Sequence, residues 1–450
     1  MENKKLLLAV LLTIVSSNAS ATTVENVNYG DNPLFAMHYY NKGETLTFPG
    51  NVPITGFVDF TKEQRAAING ALSYVANLIG PQAKNQQHLN FYIVTDKGTD
   101  PNAGAITGGD LSKDPSWQGI NSTDVLIYNY NGKTSPSMAG GYVLVERLDD
   151  FEFDVPASSV SNNVQKYNLN SVLIHEIGHA LGIAIDKSHL KDDLKNPKLP
   201  KNTFAQHLYD ANGKKYQEFP NGMIITYDET EKDLPDRFYT TKETDYSGAY
   251  FYGEHVAVVL NGAKLVNEDT GYVGADGSAV GIPINGYEGM DVPELSHISL
   301  RNGLMSHFDY RNWTTFMEAE LALLQDLGYD MDRRNFFGYS VYNSGADIVN
   351  NNGYSARNDA GTEYIDAPNQ TAYGIGLHVY GDDNKITQKG SINTEGYGAI
   401  GVRIDGFRNK VNVDAYVKSN GVNGTGIWVA YGAEHELTVN GNVQALGQTA

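Results

Sequence analysis

The sequence predicts an α+β domain followed by an all-β solenoid, and three observations carry that expectation. Residues 22–332 mix helical and strand periodicities, whereas residues 333–450 change texture: Gly, Asn and Asp dominate and short apolar alternations recur about every 25 residues. A long insertion at 187–290 sits inside the first part and opens with a polar, irregular stretch at 187–230. The 450-residue chain has no cysteine, which excludes disulfides, thiolate metal sites and cysteine nucleophiles together, so core packing, repeats or metal must hold it.

Within the first part, Thr61–Leu78 reads as a helix. Thr61 is an N-cap with Gln64 three residues on, and Ile68, Leu72, Val75 and Leu78 recur at helical spacing. Leu89–Val94, Val125–Tyr130 and Gly141–Val145 read as strands, followed by an acidic stretch at Asp149–Asp154 that matches no calcium loop and reads as solvated surface. Leu169–Leu181 and Thr315–Leu327 are strongly helical, the second closed by Gly328 as its C-cap.

In the second part the repeats fall in phase. Gly376-Leu377-His378-Val379, Gly401-Val402-Arg403-Ile404 and Gly426-Ile427-Trp428-Val429 are spaced 25 residues apart. Each is followed by a second alternation (Ile386; Val411 and Val413; Leu437 and Val439) and a third apolar position (Ile392, Val417, Val443). Three short strands per unit at this period predict a β-solenoid whose rungs stack inward Val, Ile and Leu. The repeats reach Ala450 without a visible cap, and the expectation is that more chain follows in a longer relative.

Composition bounds the partners. Thirty-three basic against 53 acidic residues leave a net charge of −20, which disfavours nucleic acid and anionic membranes. Residues 1–21 read as an export signal: Lys4 and Lys5, the apolar run Leu6–Val15, then Ala19-Ser20-Ala21. That run is too short to span a bilayer, and no other segment of the mature chain reads as spanning one. Export to the bacterial cell surface or the medium is therefore expected, in a Gram-negative setting, with the periplasm as destination where no translocator exists.

The chemistry concentrates at His175-Glu176-Ile177-Gly178-His179, an H-E-x-x-H motif inside a predicted helix. Imidazoles at i and i+4 share one face and can hold one Zn2+, with Glu176 placed to act as general base on a water. Apolar Val172, Leu173 and Ile174 precede the motif, and Ala180-Leu181-Gly182 follows it, with Gly182 permitting a sharp turn. The longer motif H-E-x-x-H-x-x-G-x-x-H would place a third His at position 185, where this chain has Ile185. By reach, Asp186, His189, His207, His255, His297 and His307 remain open as the third ligand. No G-x-S-x-G, P-loop or dinucleotide motif occurs.

Ser296-His297-Ile298 runs on to Gly303-Leu304-Met305-Ser306-His307, and a helix ending Asp326-Leu327-Gly328 follows. Together with His175–Gly182 this resembles the leishmanolysin-like branch of the metzincin zinc metallopeptidases. In that branch a long insertion separates the motif from its third His. The resemblance covers 168–182 and 294–329, and it departs from the family's disulfide-rich members in having no cysteine. It implies a metzincin-like fold over 22–332, with His297 as the third zinc ligand and Met305 as the Met-turn residue beneath the metal. It also implies His307 as a fifth ligand or transition-state donor, and an extended protein or peptide substrate laid along an edge strand, for which Gly141–Val145 is the candidate.

The solenoid resembles autotransporter passengers, whose outer-membrane translocator is not in this chain. A rival expectation is therefore an adhesin-like passenger with an inactive peptidase domain; an intact Glu176 beside a complete His set favours the enzyme. His38, His88, His207, His378 and His435 read as solvated, and His255 as a structural histidine.

Overall fold

The computed structural model describes residues 23–448 except 86, 109–110, 112–113, 119, 135, 137, 154–166, 186–201, 210–212, 214, 216–223, 227–236, 240–245, 264, 266–280, 286–294 and 307–314. The export signal at 1–21 and most of the 187–290 insertion lie outside the described residues. The chain divides into two compact units, residues 1–154 with 163–182, and residues 155–162 with 183–450.

The first unit is built on a five-stranded sheet. Strands β1 (Thr23–Tyr29) and β2 (Asn32–Tyr40) form an antiparallel pair, and β3 (Thr45–Phe48) and β4 (Val52–Thr55) form a separate hairpin. Helix α1 (Lys62–Ile79) begins with the predicted capping box: Gln64 N donates to Thr61 Oγ1 at 3.1 Å, and Thr61 N to Gln64 Oε1 at 2.9 Å. Strands β5 (Leu89–Asp96) and β6 (Asn102–Gly108), helix α2 (Val125–Tyr130), strand β7 (Gly140–Glu146) and helix α3 (Leu169–Ala180) follow. The sheet order is β1-β2-β5-β7-β6, with β2, β5 and β7 parallel and both edges antiparallel. Tyr40, Tyr92, Val94, Tyr142 and Leu144 on one face pack with Leu46 and Phe48 of the hairpin.

Two expectations are corrected here. Val125–Tyr130 is a helix, because a 3-10 turn at Ser122–Asp124, capped by the Asn121 side chain, runs straight into it. A six-residue run that is apolar nearly throughout has no period to tell strand from helix. Gly141–Val145 is a strand, but an interior one; the edge beside it is β6.

In the second unit, α4 (Thr203–Gln206), β8 (Leu208–Tyr209), β9 (Ile224–Thr226), β10 (Arg237–Tyr239), β11 (Tyr246–Phe251), α5 (Glu254–Leu260) and β12 (Ile282–Asn285) precede α6 (Glu318–Asp326). Strands β12, β11 and β8 form one sheet, and the Asp326 carboxylate caps α5 by accepting from His255 N and Val256 N at 3.0 and 2.9 Å.

A stack of parallel sheets closes the unit. One sheet is β13 (Phe337–Val341), β15 (Ile375–Val379), β18 (Ile400–Ile404) and β21 (Thr425–Val429). The second is β14 (Asp347–Asn350), β16 (Lys385–Gln388), β19 (Lys410–Val413) and β22 (Glu436–Val439), and the third is β17 (Ile392–Thr394), β20 (Val417–Ser419) and β23 (Val443–Gln444). The register is the one the repeats predict: Leu377 on Val402 on Ile427, Ile386 on Val411 on Leu437, and Ile392 on Val417 on Val443. The stack is packed so closely that a Cβ at Gly401 would lie 2.4 Å from Val417 Cγ1 of its own rung and 2.5 Å from Gly426 O of the next. An earlier rung, β13 and β14, is missed by the 25-residue period because Phe337 pairs with Ile375, 38 residues on.

Candidate metal centre

Helix α3 places the first two imidazoles. Asn168 caps it, accepting from Ser171 N at 3.1 Å, and Leu169, Val172, Leu173, Ile174 and Ile177 are buried along it. Because the helix is buried nearly all round, its polar residues His175, Glu176 and His179 lie in the interior, at 4, 6 and 8% exposure. Exposed polar residues need no explanation, whereas three buried ones on two turns do. The helix stops where the motif predicts: Gly182 has φ of 107°, in the region glycine tolerates, and its N–H closes on His179 O at 3.0 Å.

His297 is fixed by backbone pairing on both sides. Asn285 N donates to His297 O at 2.9 Å, and Ile298 N to Met305 O at 3.1 Å. Leu300–Ser306 then forms a tight turn, with Gly303 N donating to Leu300 O at 2.9 Å and Leu300 N to Ser306 Oγ at 3.1 Å. Met305 in that turn is fully buried.

His175, His179 and His297 form a cluster in which each offers one ring nitrogen, all within 4.8 Å of one another. His175 Nε2 and His179 Nε2 are 3.1 Å apart, with the rings nearly perpendicular at 88°. Bond lengths of 2.0–2.1 Å in a tetrahedral zinc site put neighbouring nitrogens about 3.4 Å apart. The donor set, three imidazoles with no thiolate, is one that zinc accepts while leaving a position open. The cluster could therefore hold a metal ion, with Glu176 adjacent in sequence.

Of the other candidate ligands, Asp186, His189 and His307 lie outside the described residues. His207 is half-buried; its Nδ1 lies 3.0 Å from Tyr252 O and its ring stacks on Phe251, and burial pushes its imidazole down. His255, expected as a structural histidine, is exposed at the start of α5. His38, expected to be solvated, is half-buried against Tyr92 with its Nε2 3.1 Å from Asn90 Oδ1. His378, also expected to be solvated, is fully buried in β15, its Nε2 3.0 Å from Asp405 Oδ2.

Three features near the site escape sequence reasoning. Strand β6, the sheet edge, reads Asn-Ala-Gly-Ala-Ile-Thr-Gly, without the bulky alternation that marks a strand. Thr107 on β6 donates from its hydroxyl to Ala180 O at 2.6 Å, joining that edge to the end of α3. Glu320 on α6 is fully buried, and burial pushes its carboxyl up to about 7 against the backbone N–H groups that favour its charged form. The only sequence signal for Glu320 is its place three residues after an N-cap, and Met317 disguises that cap.

Comparison of the chain with protein-family models, curated proteins and solved structures finds no match.

Proposed function

We propose that this chain is an exported zinc metalloendopeptidase. The observation that carries the reading is the three-imidazole cluster of His175, His179 and His297, with Glu176 one residue after the first ligand. The resemblance of 168–182 and 294–329 to leishmanolysin-like metzincins supports the same assignment, including Met305 as the buried turn residue and His307 as a further donor. When bound, zinc supplies Lewis acidity toward a peptide carbonyl and makes a water acidic enough to ionise near neutral pH.

The chain's own residues do the rest. Glu176 takes the attacking water's proton on its carboxylate and returns it to the leaving nitrogen of the cleaved peptide bond. Its near-complete burial keeps that proton transfer away from bulk water. Strand β6 offers an edge whose outer backbone groups can pair with an extended peptide, the general mode by which sheet edges capture peptide substrates. The Thr107–Ala180 hydrogen bond orients that edge against the helix that carries Glu176.

Among the described residues no helix is long and apolar enough to cross a membrane. The export signal read in the sequence of 1–21 supports a destination at the cell surface, in the medium or in the periplasm.

The test is metal content with matched variants. Glu176→Gln is expected to keep one zinc per chain and lose hydrolysis; His297→Ala is expected to lose the zinc. Wild-type hydrolysis by Glu176→Gln removes Glu176 from the mechanism, and full metal retention by His297→Ala moves the third ligand elsewhere.

A further inference from the structure

Glu320 does more than begin a helix. Its Oε2 accepts from Met317 N at 2.7 Å, closing the N-terminal turn of α6. Its Oε1 accepts from Met305 N at 2.7 Å, and Leu304 N also donates to the carboxylate. A carboxylate at 0% exposure that reaches back 15 residues to bind the backbone of a turn is costly unless those bonds are kept. The turn it holds is the partner strand of the His297 segment: Met305 O receives Ile298 N, and Ser306 bridges Ile298.

The same turn is gripped from its other side. Arg301 donates through Nη2 to Asp382 Oδ1 at 2.9 Å and to Tyr380 O at 3.3 Å. Its guanidinium also lies over the rings of Tyr380 and Phe407, at 5.6 and 5.2 Å. Tyr380, Asp382 and Phe407 belong to the corners of the parallel stack, immediately after β15 and β18. Stack and α6 are themselves joined by Ala319 N donating to Tyr342 Oη at 2.9 Å, and Arg333, in the turn ahead of β13, pairs with Glu318 at 2.9 Å.

We infer that Glu320 and the Arg301–Asp382 pair are positioning groups for the metal site, clamping the Leu300–Ser306 turn so that His297 is held at its ligating place. The stack corners at Tyr380, Asp382 and Phe407 are then part of the site's foundation. This inference rests on the metal reading above, and its experiment separates the two.

The full-length chain is titrated with zinc against a competing chelator. Amide exchange of the 296–306 segment is followed in parallel on the metal-free protein. Glu320→Gln keeps the shape but turns an amide donor toward a backbone donor. It is expected to weaken zinc binding at least tenfold and to speed exchange at Ile298 and Met305. Asp382→Asn, at a partly exposed position that should not compromise folding, is expected to give a smaller loss, twofold to fivefold, with the same exchange signature. Val411→Ala in the stack interior serves as the control: it lowers the melting temperature without altering zinc affinity or exchange at 296–306.

Folded Glu320→Gln with wild-type affinity and exchange overturns the inference. Should that variant not fold, unchanged affinity and exchange in Asp382→Asn overturn it instead. A wild-type chain that binds no zinc overturns the metal reading, whereas a wild-type chain that binds zinc beside unaffected variants overturns the clamp alone.

Discussion

Thr107→Val tests whether the sheet edge and α3 act as one piece. The substitution keeps the branched shape and removes the hydroxyl that donates to Ala180 O at 2.6 Å. Thr107 is 6% exposed and Ala180 fully buried, so water cannot replace the lost donor freely. Ala180 is the last residue of α3, where helix carbonyls run out of amide partners, so the side-chain donor answers a real deficit.

An ordinary intramolecular hydrogen bond is worth about 1 kcal/mol net, but a buried acceptor left unsatisfied costs about 1–3 kcal/mol. The upper range applies here, and about 2 kcal/mol corresponds to a fall of roughly 4–8 °C in melting temperature for a unit of this size. The assay is urea denaturation of wild type, Thr107→Val and Thr107→Ser, with peptide hydrolysis measured on the same preparations. Thr107→Ser should recover most of the stability, and Thr107→Val should raise KM more than it lowers kcat, because that edge is the proposed substrate strand. Thr107→Val within about 0.5 kcal/mol of wild type, the level of an ordinary surface change, would refute the reasoning, as would a serine variant as damaged as the valine one.

Three further outcomes follow from the same structure. Asp405→Ala leaves Arg403 buried without its carboxylate and should cost about 3–5 kcal/mol, read by chemical denaturation. The stack should also lose stability in acid. Burial alone would push the Asp405 carboxyl up, but Arg403 and His378 outweigh it and hold it below the usual range, while burial pushes the His378 imidazole down. Both groups therefore bind fewer protons folded than unfolded at mildly acidic pH. Their stabilisation is full above about 6.5 and falls as pH drops through their folded values, which thermal melts across pH 7 to 4 would reveal. Gly401→Ala should cost about 1–3 kcal/mol, because its new methyl group meets Val417 and the Gly426 carbonyl; a melting temperature equal to wild type would contradict the close stacking.

Legibility from sequence followed the physics of each element. Helix α1 could be read to its cap because Thr61 and Gln64 are local signals, and the stack because identical rungs repeat identical inward positions. The first rung was hidden by residues 351–371, between β14 and β15, which stretch the step from 25 to 38 and break the phase. Helix α2 was misread because a short apolar run carries no period. His378 was read as solvated although it alternates with the apolar Leu377 and Val379 on β15, because its cover, Tyr342, Asp405 and the adjoining rungs, is distant in sequence. At the site, His175, Glu176 and His179 were local and legible, whereas His297 needed a resemblance to select it. Glu320 and Thr107 were invisible because each acts on backbone atoms far away in sequence.

Casein hydrolysis by the purified chain, followed before chelation, after it, and on return of zinc, tests the zinc-peptidase reading. Cleavage is expected to disappear with the chelator and to return with zinc. Zinc-replete protein that leaves casein intact, or cleavage that the chelator does not touch, would contradict it.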